Sequence, residues 1–434
     1  MSEATASPVR ALRGGGTWRI LAALVAGLVL GALALGAGDG LREPAVQIGS
    51  TVGGMWLNAL KMTVVPLIVA LLVTGVARGA EAVRAGGVAG RSVLWFVAIL
   101  TGSAMFGALA MPGLLSIFPL PEAAAASLRA GLAGMDDGAT AAAVPTASDL
   151  LGSVIPSNVI SAAASDQTLS LVVFSLLFAL AVSQLETGKR RTLVALFDAI
   201  ADAMLVLIGW VLWLAPIGVF ALAFTVGAGA GAAVLGAVVH YVVLISLLGI
   251  GIVIAAYAIG ILVARIPPKL FAKAMIGPQA VAISTQSSLA SLPAMLAAAR
   301  MIGIRERVID ITLPLSVALF RATGPAMNIG VAFYIAHWFG LEPTAMQIVA
   351  GVAVASVMSY SSVSLPGQIS FVTSIAPIAL AMGVPIGPLA LLVAVENIPD
   401  IFRTLGNVAM DVAVTGAVGS SQTEEEAVEP VVLD

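Results

Sequence analysis

Apolar stretches long enough to cross a lipid bilayer recur along the whole chain, at about 17–38, 48–79, 88–118, 165–186, 192–226, 232–264, 306–338 and 385–418. A membrane crossing takes about 20 mostly apolar residues, and each stretch meets that length. The supply of charge agrees. Of 434 residues 60% are hydrophobic and only 10% charged, against roughly 25% charged in a soluble domain. Most of the surface must therefore face lipid. The first stretch is too long for the apolar core of a signal peptide and reads as a helix.

Two further apolar pieces, 270–299 and 345–382, are interrupted midway by STQSSLASLP (284–293) and SYSSVSLPGQ (359–368). A broken backbone inside lipid is tolerated only where protein or a wet cavity surrounds it. Both pieces therefore read as re-entrant helical hairpins. The expected fold is an all-α polytopic membrane protein with eight transmembrane helices plus two re-entrant helical hairpins.

The cations test this arrangement. Arg10, Arg13 and Arg19, then Arg78, Arg84 and Arg91, then Lys189, Arg190 and Arg191, then Arg265, Lys269 and Lys273, and finally Arg300, Arg305 and Arg307 all fall on one side. The opposite loop, 119–150, carries Glu122, Asp136, Asp137 and Asp149 against a lone Arg129. Positive loops stay in the cytoplasm, so both termini are placed there, in a cell membrane. The tail with Glu424, Glu425 and Glu426 reads as disordered.

Several functions drop out on composition. The absence of Cys removes disulfides, thiolate metal sites and cysteine nucleophiles. His240 and His337 are too few for a histidine metal centre and read as ordinary packing residues. A net charge of −3 offers no footprint for nucleic acid. No nucleotide-binding loop is present, so the chain is not a primary pump. Asp198 and Asp202, four residues apart near the cytoplasmic end of a span, read as a solvated or interface pair rather than an enzyme's acids. No enzyme and no cofactor are expected.

Five charges remain inside the last two spans: Arg321, Glu396, Asp400, Arg403 and Asp411. Each costs roughly 3 kcal/mol at a helix centre, so five without partners would cost on the order of 15 kcal/mol. At 100° per residue, Glu396, Asp400, Arg403, Thr404, Asn407 and Asp411 share one helical face. Asp400 and Arg403 are spaced for an ion pair, and Gly406 admits another backbone. The plainer reading makes these charges mutual glue, but buried pairs stabilise weakly and apolar residues could replace them. The stronger reading is a mid-membrane site for a small anionic solute. The paired breaks at Ser287, Ser288 and Ser291-Leu292-Pro293, and at Ser361, Ser362, Pro366 and Gly367, favour it. Opened backbones and half-helix ends are what transporters direct at ions.

These residues resemble the dicarboxylate/amino acid:cation symporter family, the glutamate-transporter homologues, over about 20–415. The resemblance is carried by LKMTVVPLIVALLVTGVA (60–77), IPSNVISAAA (155–164), LAPIGVFAL (214–222), the two hairpin breaks and above all DIFRTLGNVAMD (400–411). It implies an elevator transporter, usually a homotrimer, that couples solute import to Na⁺ and/or H⁺. The implied division is a cytoplasmic tail at 1–16, scaffold at 17–87 and 119–230, a mobile transport block at 88–118 and 231–418, and an acidic tail at 419–434. By position Arg403 would hold the distal carboxylate of an acidic amino acid or C4-dicarboxylate, and Asp400 its ammonium. Asn407, Thr404, Ser288 and the backbone near Ser361–Gly367 would hold its other carboxylate. Asp411, with Asn407, would ligate Na⁺.

The seventh span departs from the family pattern. Where the family carries NMDGT, this chain has Phe320-Arg321-Ala322-Thr323-Gly324, so a carboxylate is lost and a permanent cation gained one residue earlier. The hydroxyl pair of the third span falls on Ile99 and Leu100. These departures imply fewer coupled Na⁺, with Arg321 supplying the missing charge or meeting the solute, and protons on Glu396, Asp400 or Asp411 as the substitute. The alternatives are a carrier of another anionic or zwitterionic solute without Na⁺ dependence, and an anion-conducting channel.

Overall fold

A computed structural model describes residues 16–34, 39–120, 155–165, 167–230, 233–360 and 367–420, and the described elements are all helical. The start of the chain, the loop 121–154, the second hairpin break with Ser361, Ser362 and Pro366, and the acidic tail from 421 lie outside the described residues.

The elements follow the apolar stretches: α1 Gly16–Ala34, α2 Asp39–Ala85, α3 Gly87–Ile117, the short α4 Val159–Ala164, α5 Thr168–Ser183, α6 Thr187–Trp213, α7 Ala215–Ala230 and α8 Ala233–Ala258, which runs on into a wider turn at Ile259–Val263. Then come α9 Pro268–Thr285, α10 Ser288–Met301, α11 Glu306–Leu319, α12 Thr323–Phe339, α13 Ala345–Met358, α14 Gly367–Ala381, the one-turn α15 Leu389–Leu392 and α16 Asn397–Ser420. Among the described residues four stretches are long and apolar enough to cross a membrane as single helices: Gly40–Glu81, Gly87–Ile117, Thr187–Trp213 and Gly236–Val263.

Three stretches that the apolar pattern predicts as single helices are broken. The fifth parts at Leu214, between α6 and α7; the seventh at 320–322, between α11 and α12; the eighth at 393–396, before α16. Each second half opens with a proline in its first turn: Pro216, Pro325 and Pro399. A proline there lacks only an N–H that would be orphaned anyway. The interruption at 284–293 is a reversal: α9 ends at Gln286 in the left-handed conformation (φ 50°), Ser287 caps α10, and α9 and α10 pack side by side.

Tight packing links α1 to α7, where Gly27 and Gly227 let the two backbones touch. A Cβ on Gly27 would stand 2.6 Å from the Phe220 carbonyl oxygen. The Trp56 ring of α2 lies over Gly218 and donates to the Val211 carbonyl at 2.9 Å, bracing the break in the fifth stretch. A second apolar core gathers the first half of α3 with α9, α10, α11 and α16 around Phe96, Phe271, Phe320 and Val408. α16 runs through that core and is buried on every side from Gly406 to Val418. Over that length its apolar side is as enclosed as its polar one. Only such a packed bed could carry so many charges away from water.

Candidate substrate and ion site

The charged stripe begins one step earlier than a helix would allow. Glu396 stands in the turn before α16, its carbonyl accepting the Asp400 N–H at 2.9 Å. From there its carboxylate turns back along the helix. Arg403 Nη2 donates to Glu396 Oε1 at 2.7 Å, Nη1 donates to Asn328 Oδ1 of α12 at 2.8 Å, and Nε lies 3.6 Å from Asp400 Oδ1. The guanidinium fork therefore spans two carboxylates and an amide. Its side chain keeps 13% of its surface exposed, while those of Glu396 and Asp400 keep 2% and 7%. Tyr241 of α8 donates to the other Glu396 oxygen at 3.4 Å.

Below this pair, Thr323 opens α12 against α16. Its N–H and hydroxyl both donate to Asn407 Oδ1, at 3.0 and 2.8 Å, and the hydroxyl also lies 3.0 Å from the Arg403 carbonyl. The approach is possible because position 406 is glycine, where a Cβ would collide with the Thr323 methyl group. As an acceptor Asn407 is thus committed to Thr323, which leaves its amide N–H groups as the function it can offer a ligand. Thr404 turns its hydroxyl onto the Asp400 carbonyl at 2.9 Å.

The hairpin residues divide. Ser287 accepts the Ala290 N–H at 3.2 Å and is spent as a helix cap, and Ser288 is buried beside it. Gln286 at the same tip donates to the Asn397 carbonyl at 3.2 Å, tying the first hairpin to the opening of α16. Gly367 begins α14; its partners in the second break, Ser361, Ser362 and Pro366, lie outside the described residues.

Arg321 sits in the break between α11 and α12 and is 9% exposed; Nη2 donates to the Val317 carbonyl at 3.1 Å. The carboxylates whose charge reaches it are Asp411 first and Asp400 second. Both stand on the last helix. Asp411 is fully buried, and neither carboxylate oxygen meets a hydrogen-bond donor. The Ser316 hydroxyl beside it donates instead to the Leu313 carbonyl at 2.9 Å. A buried carboxylate without donors needs a nearby positive charge, and Arg321 supplies one.

Asn328, Tyr241 and Ser103 are site residues that the sequence does not mark. At the third-span position Leu100 is buried in the apolar core and Ile99 packs against it, but Ser103, one turn on, donates to the Ala322 carbonyl and accepts the Ala326 N–H at 3.2 Å. A single hydroxyl mends the backbone break that presents Arg321. Its place one helical turn beyond Ile99 was the available signal. Asp198, by contrast, pairs with Arg78 at 2.7 Å on an exposed surface, in keeping with a solvated pair.

Residues 17–421 match the family model described as "Sodium:dicarboxylate symporter family". The chain is 28% identical over 399 residues to the proton/glutamate-aspartate symporter of Escherichia coli K12, covering 90% of this chain and 89% of that one. It is 26% identical to the C4-dicarboxylate transport protein of Laribacter hongkongensis, over 92% of this chain and 88% of that one. It is 25% identical to the proton/sodium-glutamate symport protein of Bacillus subtilis, over 90% and 88%. A match that runs from the first helix to the end of the last, across every residue of the charged stripe, makes this chain a member of the sodium:dicarboxylate symporter family.

Proposed function

We propose that the protein is a secondary active symporter that imports an acidic amino acid or a C4-dicarboxylate across the cell membrane, coupled to Na⁺ and/or H⁺ with fewer Na⁺ than the family pattern implies. The observation that carries the reading is the Arg403 fork, held in a buried site between Glu396, Asp400 and Asn328. Such a fork binds a carboxylate with two parallel bonds. An anion arriving there exchanges one carboxylate partner for another, so the guanidinium is never left bare. Asp400 receives the ammonium of an amino acid; the Asn407 amide, Thr404, Ser288 and the backbone of the second hairpin, with Ser361, Ser362, Pro366 and Gly367, hold the remaining carboxylate.

Charge counting supports the coupling. The site holds two cations, Arg321 and Arg403, against three carboxylates, Glu396, Asp400 and Asp411. A dicarboxylate deepens that deficit, and mobile cations must fill it. Arg321 fills part of it permanently beside Asp411, where Na⁺ would otherwise be coordinated by oxygen. In this reading the hairpins re-enter the membrane and the last helices and hairpins move as a block against a trimeric scaffold, with both termini cytoplasmic.

Counterflow in proteoliposomes tests the reading, with aspartate, glutamate, malate and succinate each offered under Na⁺, K⁺ and pH gradients. One of the four acids should exchange, and Arg403→Ala should abolish its exchange while the protein still purifies as a folded species. Exchange that survives Arg403→Ala would remove the site.

A further inference from the structure

We infer that Thr323 is a positioning residue for the solute: by filling both lone pairs of the Asn407 amide oxygen, it fixes that amide as a pair of N–H donors for the carboxylate that Arg403 does not hold. The inference rests on the transport function proposed above. Two bonds set the orientation. The Thr323 N–H donates to Asn407 Oδ1 at 3.0 Å, and the Thr323 hydroxyl donates to the same oxygen at 2.8 Å. A backbone N–H only donates, so the atom facing it is the amide oxygen and not the amide nitrogen. That oxygen has two lone pairs, and Thr323 takes both. The two N–H groups on Asn407 Nδ2 meet no acceptor among the described residues.

The first turn of a helix carries N–H groups without intrahelical partners, and such an end attracts anions. At the start of α12 none of these groups is free. The Thr323 N–H goes to Asn407, the Gly324 N–H to the Arg321 carbonyl at 3.0 Å, and the Ala326 N–H to Ser103 at 3.2 Å, while Pro325 has none. No backbone donor of that turn is left for a carboxylate. Asn407 stands between the two: it accepts from the helix end through its oxygen and offers its own donors through its nitrogen. The positive end of α12 thus reaches the solute through one side chain, and Thr323 is the residue that turns that side chain the right way round.

Thr323 also locates the two ends of the anion clamp. Its hydroxyl lies 3.0 Å from the Arg403 carbonyl, so one residue holds the backbone beneath the guanidinium fork and the amide one turn further on. Positions 403 and 407 are about 6 Å apart along the helix axis, and a solute with two carboxylates spans them. The same two bonds limit what Asn407 can bind. With both lone pairs filled, Oδ1 has nothing to give Na⁺, a cation held through oxygen, so this side chain serves the solute rather than the ion.

The test is solute counterflow by the full protein in proteoliposomes, measured over a range of solute concentrations. Thr323→Val keeps the methyl group that packs over Gly406 and removes the hydroxyl, whereas Thr323→Ser keeps the hydroxyl and removes the methyl group. Thr323→Val should raise the KM of the exchanged acid by about tenfold, as expected when a hydrogen bond to a charged group is weakened. Its Vmax should stay within about twofold of wild type, and Thr323→Ser should keep KM within about twofold. A threonine that served only the packing would show instead as less folded protein and a lower Vmax at unchanged KM. An unchanged KM in Thr323→Val overturns the inference. So does a KM in Thr323→Ser as high as in Thr323→Val, which would put the effect on the methyl group. If wild type exchanges none of aspartate, glutamate, malate and succinate, it is the transport reading that has failed instead.

Discussion

Arg321 and Arg403 stand on different backbones and serve different carboxylates, and that division decides what each can do. Arg403 is held by Glu396 and Asp400 and keeps part of its side chain exposed, and in the proposed function these partners trade places with a solute carboxylate. Arg321 is threaded into a helix break beside the fully buried Asp411 and has no such freedom. Replacing it with methionine, which fills similar volume without charge, leaves the Asp411 carboxylate without its fixed counter-charge. Arg321→Met should then make uptake depend more steeply on Na⁺, or on protons where Na⁺ does not fit, and should lower stability by about 3 kcal/mol in the absence of both. Initial rates against Na⁺ concentration and pH, with thermal unfolding under the same ions, measure the two effects. Unchanged ion dependence in a folded variant would show that Arg321 carries no coupling role.

At the scale of elements, the polar interruption STQSSLASLP announced a chain reversal because serine and glutamine offer the backbone alternatives to helical hydrogen bonds. The breaks in the fifth, seventh and eighth stretches were not read from the apolar pattern, since Leu214, Phe320 and Val393 are as apolar as their neighbours. The legible sign was a proline two to six residues on, at 216, 325 and 399, where a new helix tolerates it. The stripe on α16 was readable from helical periodicity alone. The bonds of Asn328 and Tyr241 to it were not, nor those of Ser103 to Ala322 and Ala326, because the partners lie 75 to 223 positions away along the chain. Close helix contact carries its own prediction. Gly27→Ala would place a methyl group 2.6 Å from the Phe220 carbonyl oxygen and 2.8 Å from the Ala223 methyl group, neither able to swing aside. It should cost about 1–3 kcal/mol, read as an earlier melting transition in detergent. Gly102→Ala, with nothing within 4 Å, should not; equal melting of the two would mean that α1 and α7 are not held by this contact.

For the whole molecule, the charged stripe, Ser103 and the hairpin of α9 and α10 belong to α3 and α8–α16, while α2 and α7 are held to each other by Arg42, which donates to the Ala228 carbonyl at 2.9 Å. In the proposed function the solute held at Arg403 is enclosed by elements of the first group, and carrying it across moves that group as a body against the second. The contact between Leu57 of α2 and Gly387, in the link before α15, crosses that boundary: a Cβ at 387 would lie 3.9 Å from the Leu57 side chain. Because the chain contains no Cys, Leu57→Cys with Gly387→Cys introduces the only two thiols, and mercuric ion bridges a neighbouring pair. Bridged protein should still gain thermal stability from the solute, since the site is internal to one body, yet uptake should fall to background and return when a thiol reagent strips the metal. Uptake that continues in fully bridged protein would mean the solute crosses by local gating alone, with the two groups of helices fixed to each other throughout.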